Sequence, residues 1–314
     1  MTEYEAVRDG GAGVIDLSTA RGRIRVSGSE ATMFLNGLIT NDVKNLAQNR
    51  WMPAVFPTVQ GRLIGAVRVI RGAEPGFLID TETASHDAVL KTISRFTLAG
   101  DFKVADLTSE TALLTVQGNQ AAEIVEKVTG VSDLPENGVA EKDGMTIVRA
   151  THTGEDGFDV IIDSSRKAEL QQALETAGAQ PVGEDTFEIL RVEAGIARFG
   201  QDMDETNVVP ETNLDDAVSF TKGCYVGQEI IVRIKHRGHP AKKLTSLRFE
   251  TDQQVEPGAV ILSKENQEIG RVTSAVVSPR LGSIGLGYVR YEHLADGTQV
   301  VVGDGIEAIV GVNG

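Results

Sequence analysis

The 314-residue chain has a single cysteine, and the residues around it could do chemistry. The segment runs from Lys222 to Glu229 and reads Lys-Gly-Cys-Tyr-Val-Gly-Gln-Glu. Because a nearby cation stabilises a thiolate, Lys222, two residues before Cys224, favours an ionised and nucleophilic sulfur. Gly223 and Gly227 permit backbone angles, and the close approach of a ligand, that a side chain would prevent. The alternative interpretation is a small apolar cysteine inside a turn.

A basic stretch follows this segment directly. From Ile230 to Lys243 the chain carries five Lys or Arg residues, two histidines and no acid. The whole chain is acidic, with a formal net charge of −15, which argues against a general nucleic-acid-binding surface. The stretch, in which Arg233 is the first cation, is therefore either a solvated loop or a site for an anionic ligand.

Two other groups of polar residues could bind a ligand. Residues 151–160 place Glu155 and other acids around two glycines, a pattern that is typical of a hairpin turn. Asp159 lies within the strand that follows, where a carboxylate could accept two parallel hydrogen bonds from an amidine-like edge such as that of a pterin. Asn41 and Asp42 close the first predicted helix; both are ordinary helix terminators, and a ligand role is the alternative.

Several classes of site and location are not expected. One cysteine excludes an internal disulfide and a multi-cysteine metal site within one chain. His236 and His239 lack a carboxylate or thiol at ligand spacing, so they make a weak metal site. The first residues show no basic start followed by an apolar run, and no apolar stretch approaches the roughly 20 residues that cross a bilayer. We therefore expect a cytoplasmic protein without a membrane partner.

The order of apolar segments predicts an α+β fold. Residues 24–39 and 113–128, about 90 residues apart, both read as a strand ending in Val-x-Gly-x-x-Ala and then a helix. From Leu244 onward, short β-branched runs separated by turn residues predict a compact antiparallel barrel. We predict two related α+β units, the first at 1–105 and the second, with a long loop and the cysteine motif, at 106–240. The barrel is predicted at 241–314.

Together these segments resemble the family of the glycine-cleavage T-protein (aminomethyltransferase), and more closely its YgfZ-type folate-binding branch. The pattern Lys-Gly-Cys-Tyr-x-Gly-Gln-Glu at 222–229 is specific to that branch, whereas Thr-Gly-Glu-Asp-Gly at 153–157 is shared by both branches. The match covers nearly the whole chain. The other residues that carry it are Val26-Ser27-Gly28, Thr40-Asn41-Asp42, residues 190–195, Gly200, Asp202, Pro210-Glu211, Ser219-Phe220, residues 270–274 and Ser278-Pro279.

The resemblance implies a ring of three subdomains with tetrahydrofolate in a central channel. It also implies a role in assembling or maintaining iron–sulfur enzymes, including those that modify tRNA. The residues that we expect to contact the folate are Asn41, Asp42, Glu155, Asp159, Tyr225, Gln228 and Arg233.

Two departures from the family pattern affect the expected reaction. T-proteins carry paired aspartates where this chain has Gly65 and Ala66, and an arginine where this chain has Phe187. These replacements carry no proton or charge, and a positioned acid or base contributes about 10²–10⁴-fold to a rate, so ordinary aminomethyl transfer is not expected. Asp159 stands where the family has Glu, which shortens the reach of the carboxylate by one methylene.

The leading hypothesis from the sequence is a folate-binding factor that supports assembly or repair of iron–sulfur proteins. Cys224 is its working thiol, Lys222 the cation that keeps the thiol ionised, and Tyr225 and Gln228 orient it. The partners would be folate and iron–sulfur client or assembly proteins.

Two further hypotheses stay open. One is a folate-dependent one-carbon (aminomethyl) transferase or demethylase, with Glu155 or Asp42 replacing the absent acids. The other is a module that binds tRNA or a tRNA-modifying enzyme through the basic stretch, although the net charge of −15 argues against direct RNA binding.

Overall fold

The computed structural model describes residues 2–95, 97, 100–252 and 255–311. In this part of the chain, helices cover two open sheets and a closed barrel follows them, which confirms the predicted α+β class. The helices are α1 (Glu3–Arg8), α2 (Ala31–Leu38), α3 (Thr83–Ser94), α4 (Ala121–Thr129), α5 (Lys167–Ala177), α6 (Glu184–Glu193) and α7 (Gln228–Arg237). Short 3-10 helices cover Val43–Asn45, Ser164–Arg166, Val209–Glu211, Asp215–Ala217 and Tyr291–His293.

The strands divide among three sheets. Those of the two units are β1 (Gly13–Asp16), β2 (Arg21–Ser27), β3 (Arg50–Pro57), β4 (Leu63–Arg71), β5 (Phe77–Glu82), β6 (Lys103–Asp106), β7 (Thr111–Gln117), β8 (Val139–Lys142), β9 (Met145–Arg149), β10 (Gly157–Asp163) and β11 (Gln180–Pro181). Those of the barrel are β12 (Lys242–Phe249), β13 (Val260–Leu262), β14 (Glu268–Ser278), β15 (Gly282–Arg290), β16 (Gln299–Val302) and β17 (Ile306–Val310).

The two open sheets share the order of five strands, with β11 added at the edge of the second, which confirms the internal repeat. The first runs β3-β4-β5-β2-β6, and the second runs β8-β9-β10-β7-β1-β11. The repeated segments form β2 with α2 and β7 with α4, and both strands lie inside their sheets. Glu30 and Gln120 occupy the N-cap positions of α2 and α4, and neither makes a side-chain capping hydrogen bond.

The N-terminus differs from the predicted division at residue 105. Strand β1 pairs with β7 and β11, so residues 13–16 belong to the second sheet although they lie within the predicted first unit. Strand β6 closes the first sheet by pairing with β2. The second sheet therefore receives β1 from the predicted first unit, whereas β6 lies at the predicted boundary itself.

Alternation along the strands divides their buried apolar residues between two cores: one lies under the helices of each unit, and the other lies between the two sheets. In β4, Val67 and Val69 pack under the helices of the first unit, and Ile70 faces the other sheet. In β10, Val160 packs under the helices of the second unit, and Ile161 faces the first sheet. Because successive strand residues point to opposite faces, Arg68 and Asp159 also lie between the two sheets, among apolar residues. This shared face is where the polar site forms.

Helix α6 joins the units to the barrel. Phe187 and Leu190 contribute to the core between the sheets, while Val192 packs against barrel residues such as Leu244 and Leu286. The six-stranded barrel closes in the order β12-β15-β14-β13-β16-β17, as predicted for the C-terminal region. Across the described ranges, no helix has the length and apolar character needed to cross a membrane.

Candidate functional site

A cavity of about 210 Å³ lies where the two units meet helix α6 and the loop that follows it. Its wall is largely apolar, with Trp51 from β3 and Phe187 from α6. Among the lining residues, which all lie in the described ranges, Glu82 is the only acid. The remaining polar lining residues are Arg21, Arg68, Thr151, His152, Arg191 and Arg198.

A buried network of charges forms the floor of this cavity. Arg68 lies at its centre: Nε donates to Asp80 Oδ2 at 2.6 Å, and Nη2 donates to Asp159 Oδ2 at 2.6 Å. Asp80 also accepts from Arg21, whose Nη1 donates to Glu82 at 2.6 Å. Asp80 and Asp159 are fully buried, and both carboxylates are therefore satisfied inside the protein rather than by water.

The charge of Asp159 depends on its two partners. Burial alone would raise the pKa of Asp159, but the charges of His152 and Arg68 and hydrogen bonds to the carboxylate outweigh burial and hold the pKa far below its usual range. His152 Nε2 lies 3.0 Å from Oδ1 and 3.2 Å from Oδ2. The carboxylate is thus a fixed anion that is held from both sides.

The role of Asp159 as a pterin anchor stays a prediction, and the contacts of its carboxylate do not favour it. Both carboxylate oxygens face Arg68 and His152, and the residue has 0% exposure. An incoming amidine edge would have to displace the guanidinium that already occupies this position. The side chain does point away from the flanking Phe158 and Val160, as alternation predicted, but it meets a protein cation there.

Lys222 serves a structural purpose that the sequence did not suggest. Its Nζ donates to three backbone carbonyls at the end of α2: Asn36 at 2.7 Å, Ile39 at 2.9 Å and Asn41 at 2.6 Å. An ammonium has three N–H donors, so none is left for a thiolate. Burial lowers the pKa of Lys222 to about 8. The activation of Cys224 by Lys222 therefore stays a prediction that these contacts do not favour, and what the structure shows is that Lys222 fixes the loop.

Cys224 lies on the outside of the same loop. The thiol is exposed, and the residue does not line the central cavity. Gly227 has φ +77°, and a Cβ there would lie 2.4 Å from the Thr58 carbonyl oxygen, so this position requires glycine. Gly223 has no heavy atom within 4 Å of an added Cβ, so its predicted steric role is not needed.

The motif tyrosine packs inward, whereas its neighbours remain at the surface. Tyr225 is 7% exposed, and burial raises the pKa of its hydroxyl to about 12. Its ring lies 5.1 Å from Lys222 Nζ, and within the described residues its hydroxyl has no hydrogen-bond partner. Gln228 begins α7 and is half-buried, and Arg233 is exposed on the same helix. None of the three lines the central cavity.

The remaining predicted contacts are held in local structure. The Asn41 amide donates to the carbonyls of Pro53 and Asp216, and Asp42 caps the 3-10 helix at 43–45. Glu155 pairs with Arg8 at 2.9 Å. Asn41, Asp42 and Glu155 are absent from the cavity wall, so the structure does not bring them together with Asp159 around one space.

Domain-level similarity covers nearly all of the chain. Residues 1–222 match the GCVT N-terminal domain, and residues 242–308 match the glycine cleavage T-protein C-terminal barrel domain. The chain belongs to the glycine cleavage T-protein family. The aminomethyltransferase of Rubrobacter xylanophilus is 32% identical, over 91% of this chain and 78% of that protein. The aminomethyltransferase of Thermoanaerobacter pseudethanolicus is 29% identical, over 96% and 85%.

A solved T-protein structure agrees with the architecture. Aminomethyltransferase T of the glycine cleavage system from Bartonella henselae superposes with a TM-score of 0.91, covering 99% of this chain and 87% of that one, at 24% identity. At that identity the likeness concerns the fold. Two α+β units followed by a C-terminal barrel are thus the T-protein fold.

Within this T-protein fold, the cavity wall contains residues that the sequence did not single out. Arg68, Glu82 and His152 all line the cavity, and Ala66 lies two residues from Arg68 on the same strand. One signal for Arg68 was present: a lone arginine interrupts the apolar run from Ala66 to Ile70. The position of Glu82 at the end of a strand offered no such signal.

Proposed function

We propose that this T-protein family member binds a reduced folate in the central cavity and uses it for one-carbon transfer, with aminomethyl transfer or demethylation as the reaction class. The similarity to aminomethyltransferases along nearly the whole chain supports this proposal, and the cavity at the junction of the units carries it. Folate, when bound, supplies the nitrogens that carry the one-carbon unit.

The lining of the cavity suits a flat ring. Trp51 and Phe187 offer aromatic surface, and Arg68 and Glu82 offer a donor and an acceptor. Asp159 does not take part, because Arg68 and His152 already occupy its oxygens. In this proposal a pteridine is therefore held by Trp51, Phe187, Arg68 and Glu82 of the cavity wall. These residues differ from the folate contacts that the sequence predicted.

Glu82 is the carboxylate on this wall that could hold or accept a proton, and His152, which also lines the cavity, is already bound to Asp159. Its Oε1 accepts from Arg21 Nη1 at 2.6 Å, and its side chain retains 20% exposure. Glu155 and Asp42, the acids considered from sequence, do not line the cavity. In this proposal Glu82 replaces the acidic pair that is absent at Gly65 and Ala66.

The test combines binding with turnover. Purified protein is titrated with folinic acid by calorimetry, and then incubated with tetrahydrofolate and an aminomethyl thioether donor while ammonia release is measured. We expect saturable binding and turnover, with Glu82→Gln slowing turnover by about 10²–10⁴-fold, the usual contribution of a positioned acid or base. Glu74→Gln is the control, since Glu74 is 71% exposed and pairs only with Arg25. Binding without turnover would exclude the transferase.

A second candidate function rests on the exposed thiol. In this alternative the protein is a folate-binding factor for iron–sulfur proteins, of the YgfZ-type branch, and Cys224 is its working group. Its support is the branch-specific pattern at 222–229 together with exposure of Cys224 on a loop that buried Lys222 holds in place. A thiol in such a position is accessible to a partner protein.

This candidate is tested in a strain that lacks its own homologue. Wild-type protein is expected to restore iron–sulfur enzyme activity, and Cys224→Ser is expected to fail. Because Cys224 is exposed, the serine variant should fold normally, which thermal unfolding checks. Full rescue by Cys224→Ser would exclude the thiol role, and turnover in the first experiment would favour the transferase.

A further inference from the structure

One N–H-bearing nitrogen of Arg68 is left without a partner at the cavity. Nε and Nη2 are used by Asp80 and Asp159, while Nη1 has no hydrogen-bond partner within the described residues. The residue is 8% exposed and lines the cavity. A buried charged donor without an acceptor carries a desolvation penalty, which an acceptor atom of a ligand would relieve.

The partners of Arg68 hold this nitrogen in a fixed direction. Two buried carboxylates bind two edges of a planar guanidinium, so the third edge cannot rotate away without breaking an ion pair. Arg68 Cζ lies over the Trp51 ring, 5.6 Å from its centroid, so the guanidinium packs against an aromatic residue that also lines the cavity. A flat ligand packed on this surface can therefore present an atom to Nη1.

We propose that the cavity recognises its ligand through an acceptor edge, a ring oxo group that receives the hydrogen bond of Arg68 Nη1. A carboxylate anchor such as a free Asp159 would select the donor edge of an amidine. In this chain Arg68 occupies the carboxylate of Asp159. The cavity therefore offers the ligand a hydrogen-bond donor, Arg68 Nη1, in place of a carboxylate acceptor. The cavity should prefer a 4-oxopteridine to a 4-aminopteridine, because an amino group would place a donor against a donor. This inference rests on the proposed binding of folate.

Folic acid and aminopterin make a matched pair of probes, since they differ at this ring position alone: folic acid carries an oxo group with N3–H beside it, and aminopterin an amino group with an unprotonated N3. Calorimetric titration of the full-length protein should show folic acid binding about 10- to 100-fold more tightly, the usual contribution of a hydrogen bond to a charged group. Arg68→Met should reduce this ratio to about one.

Two further variants keep the test informative if Arg68→Met folds poorly. Arg68→Lys retains a cation for Asp80 and Asp159 but lacks the planar third edge, and should also lose the preference. Arg71→Lys is the control on the same strand: Arg71 donates to the Leu46 carbonyl and does not line the cavity. This control should keep the preference.

Each other outcome decides between the inference and the proposed function. Tighter binding of aminopterin, or equal binding of both probes to wild type, would overturn the inference and leave folate binding intact. Binding of p-aminobenzoylglutamate as tight as that of folic acid, with the same dependence on Arg68, would show that Nη1 takes a carboxylate and would overturn the ring-oxo assignment. If folded wild-type protein binds none of the pteridines, including folinic acid, the proposed function fails as well.

Discussion

Arg68 Nη2 and Asp159 Oδ2 lie 2.6 Å apart across the interface of the two sheets, and both side chains are buried. The pair joins β4 of the first unit to β10 of the second beneath the cavity wall. It fixes the relative position of the two units, and it also decides which polar atoms a ligand meets. In the proposed function, stability and ligand recognition are therefore coupled at this pair.

Asp159→Ala should destabilise the protein strongly. The substitution leaves the buried guanidinium of Arg68 without one of its two carboxylates, and breaking a buried pair in this way costs about 3–5 kcal/mol of the free energy of unfolding. Urea unfolding measures the loss. Asp156→Ala is the control, because its pair with Arg149 is about one-third exposed at both residues and should cost about 0–1 kcal/mol. Equal losses in the two variants would contradict this prediction.

Lys222→Met should loosen the cysteine loop without slowing its thiol chemistry. Three carbonyls near the end of α2 lose their donor, and an unsatisfied buried group costs about 1–3 kcal/mol, which thermal or urea unfolding can measure. Alkylation of Cys224 near neutral pH should be as fast as in wild type or faster, because the ammonium does not bind the sulfur.

Lys235→Met is the control for this experiment, since Lys235 is exposed and contacts only the Phe220 ring among the described contacts. It should change neither stability nor alkylation. A clear slowing of alkylation in Lys222→Met alone would restore the activating role that the sequence predicted.

The stability contributed by Lys222 should depend on pH. Its pKa is about 8 in the folded protein, against 10.5 for an unperturbed lysine. Between these values the unfolded chain holds a proton that the folded protein has released, so the free energy of unfolding rises with pH. The difference between wild type and Lys222→Met should therefore be constant below about pH 8 and grow toward pH 10. A difference that shrinks in this window would show that the three carbonyls raise the pKa instead.

Local patterns were enough to predict the fold class, the repeat and the barrel. Apolar alternation identifies the strands, and the recurring Val-x-Gly-x-x-Ala identifies β2–α2 and β7–α4 as equivalent. The partner of β1 was not predictable in the same way, since four residues at 13–16 pair with strands about 100 and 165 residues further along the chain. Strand propensity indicates a strand but carries no information on its distant partner.

The candidate site was predictable only in part. Alternation placed the Asp159 side chain opposite to its apolar neighbours, but its partner Arg68 is 91 residues away and needed the contact between the sheets. Lys222 and Cys224 are close in sequence, but their side chains do not point to the same place. The long lysine side chain enters the protein to reach α2, whereas the cysteine faces solvent. Whether a cation lies close to a thiol depends on the directions of the two side chains, and a sequence motif does not specify these directions.

Gly65→Ala and Gly37→Ala should change stability in opposite directions. A Cβ at Gly65 would lie 2.7 Å from Val89 Cγ2 and 2.9 Å from Ser85 Cβ, both on α3, so overpacking should cost about 1–3 kcal/mol. A Cβ at Gly37 in α2 meets nothing within 4 Å, and alanine there should stabilise by about 0.4–1 kcal/mol. Urea unfolding of both variants measures this contrast.

The same contact limits how an acid could be restored at the position where T-proteins carry one. Because α3 lies against Gly65, Gly65→Asp should unfold at lower urea than wild type and gain no transferase activity. Ala66→Asp is the matched comparison, since Ala66 lines the cavity and has room on that side. If Gly65→Asp proves as stable as wild type, α3 can move away from the strand, and crowding does not explain the missing acid.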